Sequence, residues 1–303
     1  MTDRIVEIGE TAARLYVRNS QVVIERKGFP EVTTPLEELG VLVLSHPRLV
    51  LTQAVISRMA AGGGSVVVCD DHYLPVAVML PFQTHTTQTE RLAHQVALSE
   101  PSRKRIWQQI VRAKVVAQST LLLELGEDDA GLSSLAQRVR SGDPDNVEAQ
   151  AARIYWPRLF RDPSFRRNRE NPDHNRHLNY GYTVLRAIVA RAVCAAGLHP
   201  SLGVRHHNRS DPFGLAADLM EPFRPLVDRA VVACIRTTDP LAPLAPQVKA
   251  AILQPLMARY TVSGESRSLF DICARAASSL AGVIAGDCKS LEIQAPVASD
   301  NDG

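Results

Sequence analysis

The sequence predicts an α+β protein in which a small, mostly β domain precedes a larger, all-α helical domain. Two patterns support this order. Residues 1–84 alternate apolar and polar side chains in short runs that Gly, Asn and Pro interrupt, as in β-strands joined by tight turns. Over residues 85–290 the apolar side chains recur at helical spacing in long segments. We expect the tail over 291–303 to be disordered, because its residues are mostly small or polar.

The N-terminal domain contains one predicted helix among several predicted strands. The strand runs are RIVEIGE (4–10), ARLYVRN (13–19), QVVIERKG (21–28), VLVLSH (41–46) and SVVVCD (65–70). Leu51, Val55 and Met59 have helical spacing, and the glycines at 62–64 indicate the end of this helix and a turn. A phosphate-binding loop would need a following Gly-Lys-Ser/Thr and a helix after it, and neither is present.

The second domain is predicted to be helical throughout. The helical segments are 89–98, 102–124, 131–141, 145–161, 175–196, 213–237, 246–260 and 267–283. Prolines lie near the ends of several of these segments, where proline is tolerated. Their number and length indicate a helical bundle large enough to enclose a core.

The charge distribution suggests a polyanionic partner. The formal net charge is only +2, but residues 153–191 contain nine arginines and three acids. Such a local positive field suits nucleic acid. The forked donors of arginine bind phosphate well, although part of this run could simply be a solvated face. The candidates for DNA contact are Arg153, Arg158, Arg161, Arg166, Arg167, Arg176, His207 and Arg224.

Cysteine usage and the N-terminal residues favour a cytoplasmic protein. The five cysteines are widely spaced and include no CxxC pair, which argues against a zinc ribbon and against a secreted disulfide framework. The first residues lack the basic start and apolar run of a signal peptide. No uninterrupted apolar stretch reaches membrane-spanning length.

The richest cluster of reactive side chains lies over residues 203–225. His206 and His207 are adjacent, and Asp218 and Glu221 are three residues apart, so both carboxylates would project from one face of a helix. Their repulsion would be relieved by a divalent cation between them, or by an arginine such as Arg224. Taken alone, this short spacing is more typical of a solvated helix face with local ion pairs.

A further acidic candidate, Glu148, lies upstream. Asp145 or Asn146 can cap the helix that contains it, and a glutamate in a first turn is often only a partner of the helix dipole. The small residues around Glu148 also leave room for a ligand. If Glu148, His206 and Glu221 converge, two carboxylates and one imidazole suit Mg²⁺ or Mn²⁺.

Several of these motifs together resemble one known family. They are GVRHHNRSDPFGLAADLMEPFRPLVDR, GDPDNVEAQAARIYW, LNYGYTVLRAIVARAVCAAGLHPSLG and IVRAKVVAQ, and they occur in the order and spacing of the family. The sequence is similar to the CRISPR-associated integrase family, whose members are the adaptation proteins numbered one in that nomenclature. It is most similar to the branch found in type II systems.

The resemblance implies a metal-dependent DNA endonuclease and strand transferase that inserts new spacers into the CRISPR array. Its metal ligands and catalytic residues would be Glu148, Glu221 and His206, rather than His207, with Asp218 as a neighbouring acid that can join the site. The implied cofactor is Mg²⁺ or Mn²⁺. The implied partners are double-stranded DNA, a second copy of the chain that dimerises through the β domain, and the small companion adaptation protein.

Two other classes of function remain open from the sequence. One is a metal-dependent phosphodiesterase that acts on other nucleic acids without preference for a CRISPR repeat. The other is a non-catalytic DNA-binding scaffold, in which the basic surface matters and the carboxylates do not. A half-site integration assay with a chelator control distinguishes all three.

Overall fold

The computed structural model describes residues 4–70, 75–82, 85–171, 173–205, 211–235, 244–293 and 296 of the 303-residue chain. It confirms the predicted fold class, with a β-rich N-terminal region followed by a helical region. Among the described helices, none is both long and apolar enough to cross a membrane. All five cysteines are free.

The N-terminal region contains two four-stranded sheets. Its elements are β1 (Arg4–Ile8), β2 (Ala13–Arg18), β3 (Gln21–Glu25), β4 (Val32–Pro35), β5 (Leu39–Leu44), β6 (Leu49–Leu51), α1 (Gln53–Ala61), β7 (Ser65–Cys69) and β8 (Pro75–Met79). The first sheet has the order β1-β5-β7-β8, and only the β7–β8 pair is antiparallel. The second has the order β4-β3-β2-β6, with β2 and β6 parallel. Helix α1 ends at the glycines at 62–64, as predicted, and β7 follows at once.

The remaining elements form the helical region. They are α2 (Gln88–Val96), α3 (Glu100–Glu124), α4 (Leu132–Gln137), α5 (Val147–Leu159), α6 (His174–Ala195), α7 (Gly214–Leu219), α8 (Arg224–Ile235), α9 (Pro246–Met257), β9 (Arg259–Val262), β10 (Glu265–Ser268) and α10 (Leu269–Ala285). The hairpin β9–β10 corrects the expectation that this region is helical throughout. Ser263 and Gly264, which have φ values of 53° and 79°, form its turn.

Strand β5 packs into a hydrophobic core on each face of the first sheet. Its sequence LGVLVL is almost continuously buried, as expected of a strand covered on both faces. Val41 and Val43 belong to the large core cluster of the helical region, whereas Leu42 packs with Leu15 and Val55 beneath the second sheet. Because successive side chains point to opposite faces, one strand serves both cores.

A buried polar cluster also ties β1 to the helices. Glu7 Oε1 on β1 accepts hydrogen bonds from Ser45 Oγ and from Lys249 Nζ, both at 2.8 Å. Its Oε2 accepts from Tyr180 Oη at 2.7 Å. Burial and the charge of Glu7 both raise the pKa of Tyr180. The hydroxyl of Tyr180 on α6 therefore has a hydrogen-bond acceptor within the packed interior.

The predicted disordered tail begins inside the core. Leu291 is buried, and its backbone N–H donates to Gln109 Oε1 at 2.7 Å. The backbone N–H of Glu292 donates to Ser279 Oγ at 2.8 Å. Residues 291–293 are therefore packed, which corrects the start of the tail. Residues 294–295 and 297–303 lie outside the described part of the chain.

Helix α6 lies at the centre of the helical region, and Gly181 sets its distance from two neighbours. A Cβ atom at this position would overlap Val227 on α8 and would lie 2.8 Å from Ile252 Cγ2 on α9. Both neighbours are completely buried, so neither has free space to move into. The absence of a side chain at Gly181 therefore permits the close packing of three helices.

We expect Gly181→Ala to lower the free energy of unfolding by about 1 kcal/mol or more. Overpacking of this kind costs about 1–3 kcal/mol and outweighs the helix-propensity gain of alanine, which is up to about 1 kcal/mol. The matched control is Gly282→Ala on α10, where the nearest atom would lie at an ordinary 3.5 Å. Urea unfolding should show that the control is neutral or stabilising. Equal stability of the two variants would contradict this account of the packing.

Candidate metal centre

Two carboxylates from separate elements meet at one half-buried lysine. Lys114, in the middle of α3, places its Nζ 2.7 Å from Oε1 of Glu148 and 2.7 Å from Oε2 of Glu221. Glu148 is in the first turn of α5, and Glu221 begins a 3₁₀ turn between α7 and α8. The Glu221 side chain is 5% exposed and that of Glu148 is 29% exposed, so the centre opens to solvent on the Glu148 side.

The ammonium of Lys114 is held in its charged form by these carboxylates. Burial lowers the pKa of Lys114, but the attraction of Glu221 and Glu148 outweighs burial and raises this pKa above its ordinary value. Arg224 adds a second cation, with Nη2 2.9 Å from Oε1 of Glu221. This pair was the non-metal partner that the sequence suggested for Glu221, and it is present in the structure.

Asp143 sets the position of Glu148 by capping α5. Its Oδ1 accepts from the backbone N–H of Val147 at 2.8 Å, and its Oδ2 accepts from that of Glu148 at 3.0 Å. The sequence pointed to Asp145 or Asn146 as the cap, which was wrong. Asp145 pairs with Arg140 instead, and Asn146 takes a left-handed conformation and makes no side-chain cap. Capping by Asp143 satisfies two otherwise unpaired donors at the helix start.

Asp218 and Glu221 do not share a helix face. Helix α7 ends at Leu219, and the chain tightens into the 3₁₀ turn at Glu221, which is followed by Pro222. Asp218 is completely buried, and its Oδ2 accepts from the backbone N–H groups of Val204 at 2.7 Å and Arg205 at 3.0 Å. The alternative of a solvated acidic face is therefore wrong, since both carboxylates are buried.

A second, buried network of polar side chains contacts the Arg224 guanidinium. This guanidinium lies 4.6 Å from the ring centroid of Tyr182, whose hydroxyl donates to Asp228. Tyr155 also donates to Asp228, at 2.7 Å. Burial raises the pKa of Asp228 to about 6, although the hydrogen bonds from both tyrosines oppose this shift. The network joins α5, α6 and α8, and it is connected to Glu221 through Arg224.

The structure brings together Glu148 and Glu221 of the predicted ligand set. His206 and His207 lie outside the described residues. Within the described ranges, no group of three or more His, Cys, Asp or Glu side chains is placed to hold a metal ion. Two converging carboxylates fit Mg²⁺ or Mn²⁺, which prefer oxygen ligands, and the ammonium of Lys114 shows that a cation is accommodated between them.

The predicted DNA-contacting arginines differ in exposure and partners. Arg153, Arg158 and Arg166 are exposed. Arg161 is also exposed but pairs with Glu127 at 2.7 Å. Arg167, Arg176 and Arg224 are half-buried. The remaining predicted DNA contact, His207, lies outside the described residues.

Comparison with known proteins decides the family. A family model described as CRISPR associated protein Cas1 matches residues 7–240. The chain belongs to the Cas1 family. The resemblance predicted from the sequence motifs is thereby confirmed.

This Cas1 chain is similar to several known proteins over nearly its whole length. It is 35% identical over 287 residues to the CRISPR-associated endonuclease Cas1 of Neisseria meningitidis serogroup C (strain 8013), covering 94% of this chain and 93% of that protein. A casposase bound to integration product has the same fold, with a TM-score of 0.76 and 20% identity over 96% of this chain and 92% of that one. A chain of a Cas6-RT-Cas1–Cas2 complex matches with a TM-score of 0.74 and 19% identity, over 95% of this chain and 36% of the longer one.

Two residues of this Cas1 site were not predicted as part of it. Lys114 and Arg112 are the two charged residues of the largely apolar segment IVRAKVVAQ, and a charge among so many apolar positions could have indicated an internal partner. Asp143 follows Gly142 in the turn before α5, and both have positive φ values. An aspartate in such a turn is a typical helix-capping residue.

We expect Lys114→Met to destabilise the protein strongly in the presence of a chelator. Loss of the ammonium leaves two carboxylates facing each other, and breaking a buried ion pair costs about 3–5 kcal/mol. The matched control is Lys104→Met on the same helix, because Lys104 is 54% exposed and lies 3.6 Å from Glu100. The control should change the free energy of unfolding by less than about 0.5 kcal/mol. Equal losses in urea unfolding would refute the bridging role of Lys114.

Proposed function

We propose that this protein is a metal-dependent DNA endonuclease and strand transferase, the integrase of CRISPR adaptation. The observation that carries the proposal is the convergence of Glu148 and Glu221, from two separate elements, on one cationic position in a Cas1 family member. A pair of carboxylates around a cation is the arrangement that phosphodiester chemistry uses to hold a metal ion.

The names of the similar proteins support the same chemistry. The relative from Neisseria meningitidis is named an endonuclease, and the casposase of the same fold was bound to integration product. The complex that contains Cas1 also contains Cas2, which supports the small companion protein as a partner. Assignment to the type II branch stays a prediction.

Glu148 and Glu221 would hold Mg²⁺ or Mn²⁺, with His206 as the third protein ligand. The metal ion would supply Lewis-acid stabilisation of the phosphate and a lower pKa for the attacking hydroxyl. In strand transfer, the 3′ hydroxyl of the captured DNA attacks a phosphodiester of the repeat. A new P–O bond forms as the original one breaks, and the departing 3′ oxygen takes up a proton. With water as the nucleophile, the same step is hydrolysis.

The surrounding residues prepare this site in distinct ways. Asp143 orients Glu148 by capping its helix, and Arg224 orients Glu221 through their ion pair. Asp218 fixes the backbone of residues 204–205, which immediately precede His206 in the sequence. Lys114 adds positive charge, which would stabilise the negative charge that develops on the phosphate.

Homodimerisation would use the N-terminal β domain, over residues 1–84, with the catalytic domain over 85–290. Exposed valines lie on three edge strands in the described part of the sheets, namely Val32 on β4, Val50 on β6 and Val76 on β8. Open strand edges with apolar side chains favour pairing with another chain. A twofold dimer is the commonest symmetric assembly that such an edge can form.

Strand transfer should be lost when either carboxylate is neutralised. We expect Glu148→Gln and Glu221→Gln to lower the rate of half-site integration at least about 100-fold, the scale of losing one transition-state contact. The assay contains repeat DNA, Mn²⁺ and the companion protein, and it is repeated with a chelator. Glutamine is preferred to alanine because it leaves less empty space beside the half-buried Lys114 and Arg224.

The matched control for this assay is Glu90→Gln, which changes an exposed glutamate on α2. It should integrate at the wild-type rate. Full activity of either active-site variant would reject the proposed function. Cleavage of any linear nucleic acid without preference for the repeat would favour a general phosphodiesterase, and DNA binding that needs neither carboxylate nor metal would favour a scaffold.

Metal binding can be tested separately from activity. We expect Mn²⁺ to raise the melting temperature of the wild-type protein, because a ligand that binds only the folded state adds RT ln(1 + [L]/Kd) to its stability. The double variant Glu148→Gln/Glu221→Gln should show no such rise, whereas Glu90→Gln should behave as wild type. An equal rise in the double variant would place the metal elsewhere.

A further inference from the structure

A cavity of about 190 Å³ lies next to the metal centre, and arginines dominate its lining. They are Arg167, Arg169, Arg186 and Arg224, and the rest of the lining consists of Asn179, Tyr182, Thr183, Ala217 and Met220. We call this cavity the arginine pocket. Its lining, as far as the structure describes it, contains no carboxylate. Four guanidinium groups around one small space create a strong local preference for an anion.

Neutral groups, rather than acids, hold two of these side chains in place. Arg167 donates from Nη1 to Asn175 Oδ1 at 2.8 Å and from Nη2 to Asn179 Oδ1 at 2.6 Å. The guanidinium of Arg186 lies 4.9 Å from the ring centroid of Phe213. Amides and aromatic rings orient a guanidinium without cancelling its charge. The geometry of the pocket is therefore preorganised while its positive charge remains available.

The positive charge of the pocket exceeds what its surroundings neutralise. Burial lowers the pKa values of Arg167 and Arg186, and the charges of Arg224 and Arg169 lower both further, although nearby carboxylates and Tyr182 partly oppose this. The buried Nε of Arg186 meets no acceptor among the described residues. An unpaired buried donor is costly, and an anionic oxygen would satisfy it.

The pocket and the metal centre share one residue. Arg224 lines the pocket and also lies 2.9 Å from Glu221, so an anion in the pocket is adjacent to the carboxylates. We propose that the arginine pocket binds a backbone phosphate of the nucleic acid, beside the phosphodiester that reacts. This inference rests on the proposed function. Forked arginine donors match phosphate oxygens, and contacts of this kind set the position of the backbone without reading base sequence.

The test measures DNA binding without chemistry. A fluorescein-labelled duplex with single-stranded 3′ ends is titrated with the full-length protein in EDTA, over a series of salt concentrations. Arg186→Gln should weaken binding about tenfold and lower the slope of log K against log salt by about one, as expected for one lost phosphate contact. Arg167→Gln should act in the same direction. The matched control, Arg58→Gln, removes an exposed arginine on α1 and should change neither quantity.

Two further measurements separate the alternatives. Arg186→Lys keeps the charge and should retain the salt slope while losing affinity, and circular dichroism should show that each variant is folded. If Arg186→Gln binds DNA with wild-type affinity and slope, the proposal is overturned. It is also overturned if inorganic phosphate stabilises the wild type but not Arg186→Gln while DNA affinity is unchanged, because the pocket then takes a free anion.

This outcome is independent of the catalytic assignment. The binding measurement uses metal-free protein. Loss of strand transfer in the Glu148 and Glu221 variants would therefore support the metal site even if Arg186→Gln bound DNA normally and the arginine-pocket proposal were rejected. Conversely, reduced DNA binding by Arg186→Gln together with full strand transfer by the carboxylate variants would support the arginine pocket and reject the metal site. Mn²⁺ should raise the melting temperature of Arg186→Gln as it does that of the wild type, since this arginine is not a metal ligand.

Discussion

The site depends on one electrostatic constraint, the sharing of the Lys114 ammonium by Glu148 and Glu221. Removing such charges from water is costly, and only close, multiple pairing compensates for it. Helix α3, the start of α5 and the turn before α8 must therefore meet at one point. Two like charges would otherwise separate these elements, and the cation between them turns that repulsion into a positional restraint.

Three further aspartates make hydrogen bonds that hold the elements around Lys114 in place. Asp143 and Asp218 each use carboxylate oxygens to hold backbone N–H groups, so the segments that bear the candidate ligands begin from fixed points. Asp228 accepts from two tyrosines beneath Arg224. Buried groups of this kind tolerate few alternative arrangements, because each unsatisfied partner carries a full desolvation cost.

Hydrophobic periodicity predicted the order of the two regions, helix α1 and most of the helices, since these depend on local spacing. The hairpin β9–β10 was missed because its short alternating run directly follows a helix and is too brief to stand out. The break between Asp218 and Glu221 was missed because helical spacing was assumed to continue across Met220 and Pro222. Local sequence also placed Arg224 beside Glu221 correctly, since three residues separate them.

Lys114 and Asp143 could not be assigned from spacing alone. The partners of Lys114 are 34 and 107 residues away, and only tertiary packing brings them together. The capping role of Asp143 depends on positive φ values at Asp143 and Asn146, which redirect the chain before α5. Family resemblance predicted that both carboxylates are metal ligands, but it did not predict the lysine that joins them.

The two-faced burial of β5 has a consequence for the newly made chain. The side of the first sheet that bears Val41 and Val43 is covered by helices that are translated later, among them α6, which begins 130 residues after the end of β5. Until then, this apolar surface stays open to water or to another molecule, as in many incomplete chains during synthesis. The first sheet therefore reaches its final packing only after α6 has been translated.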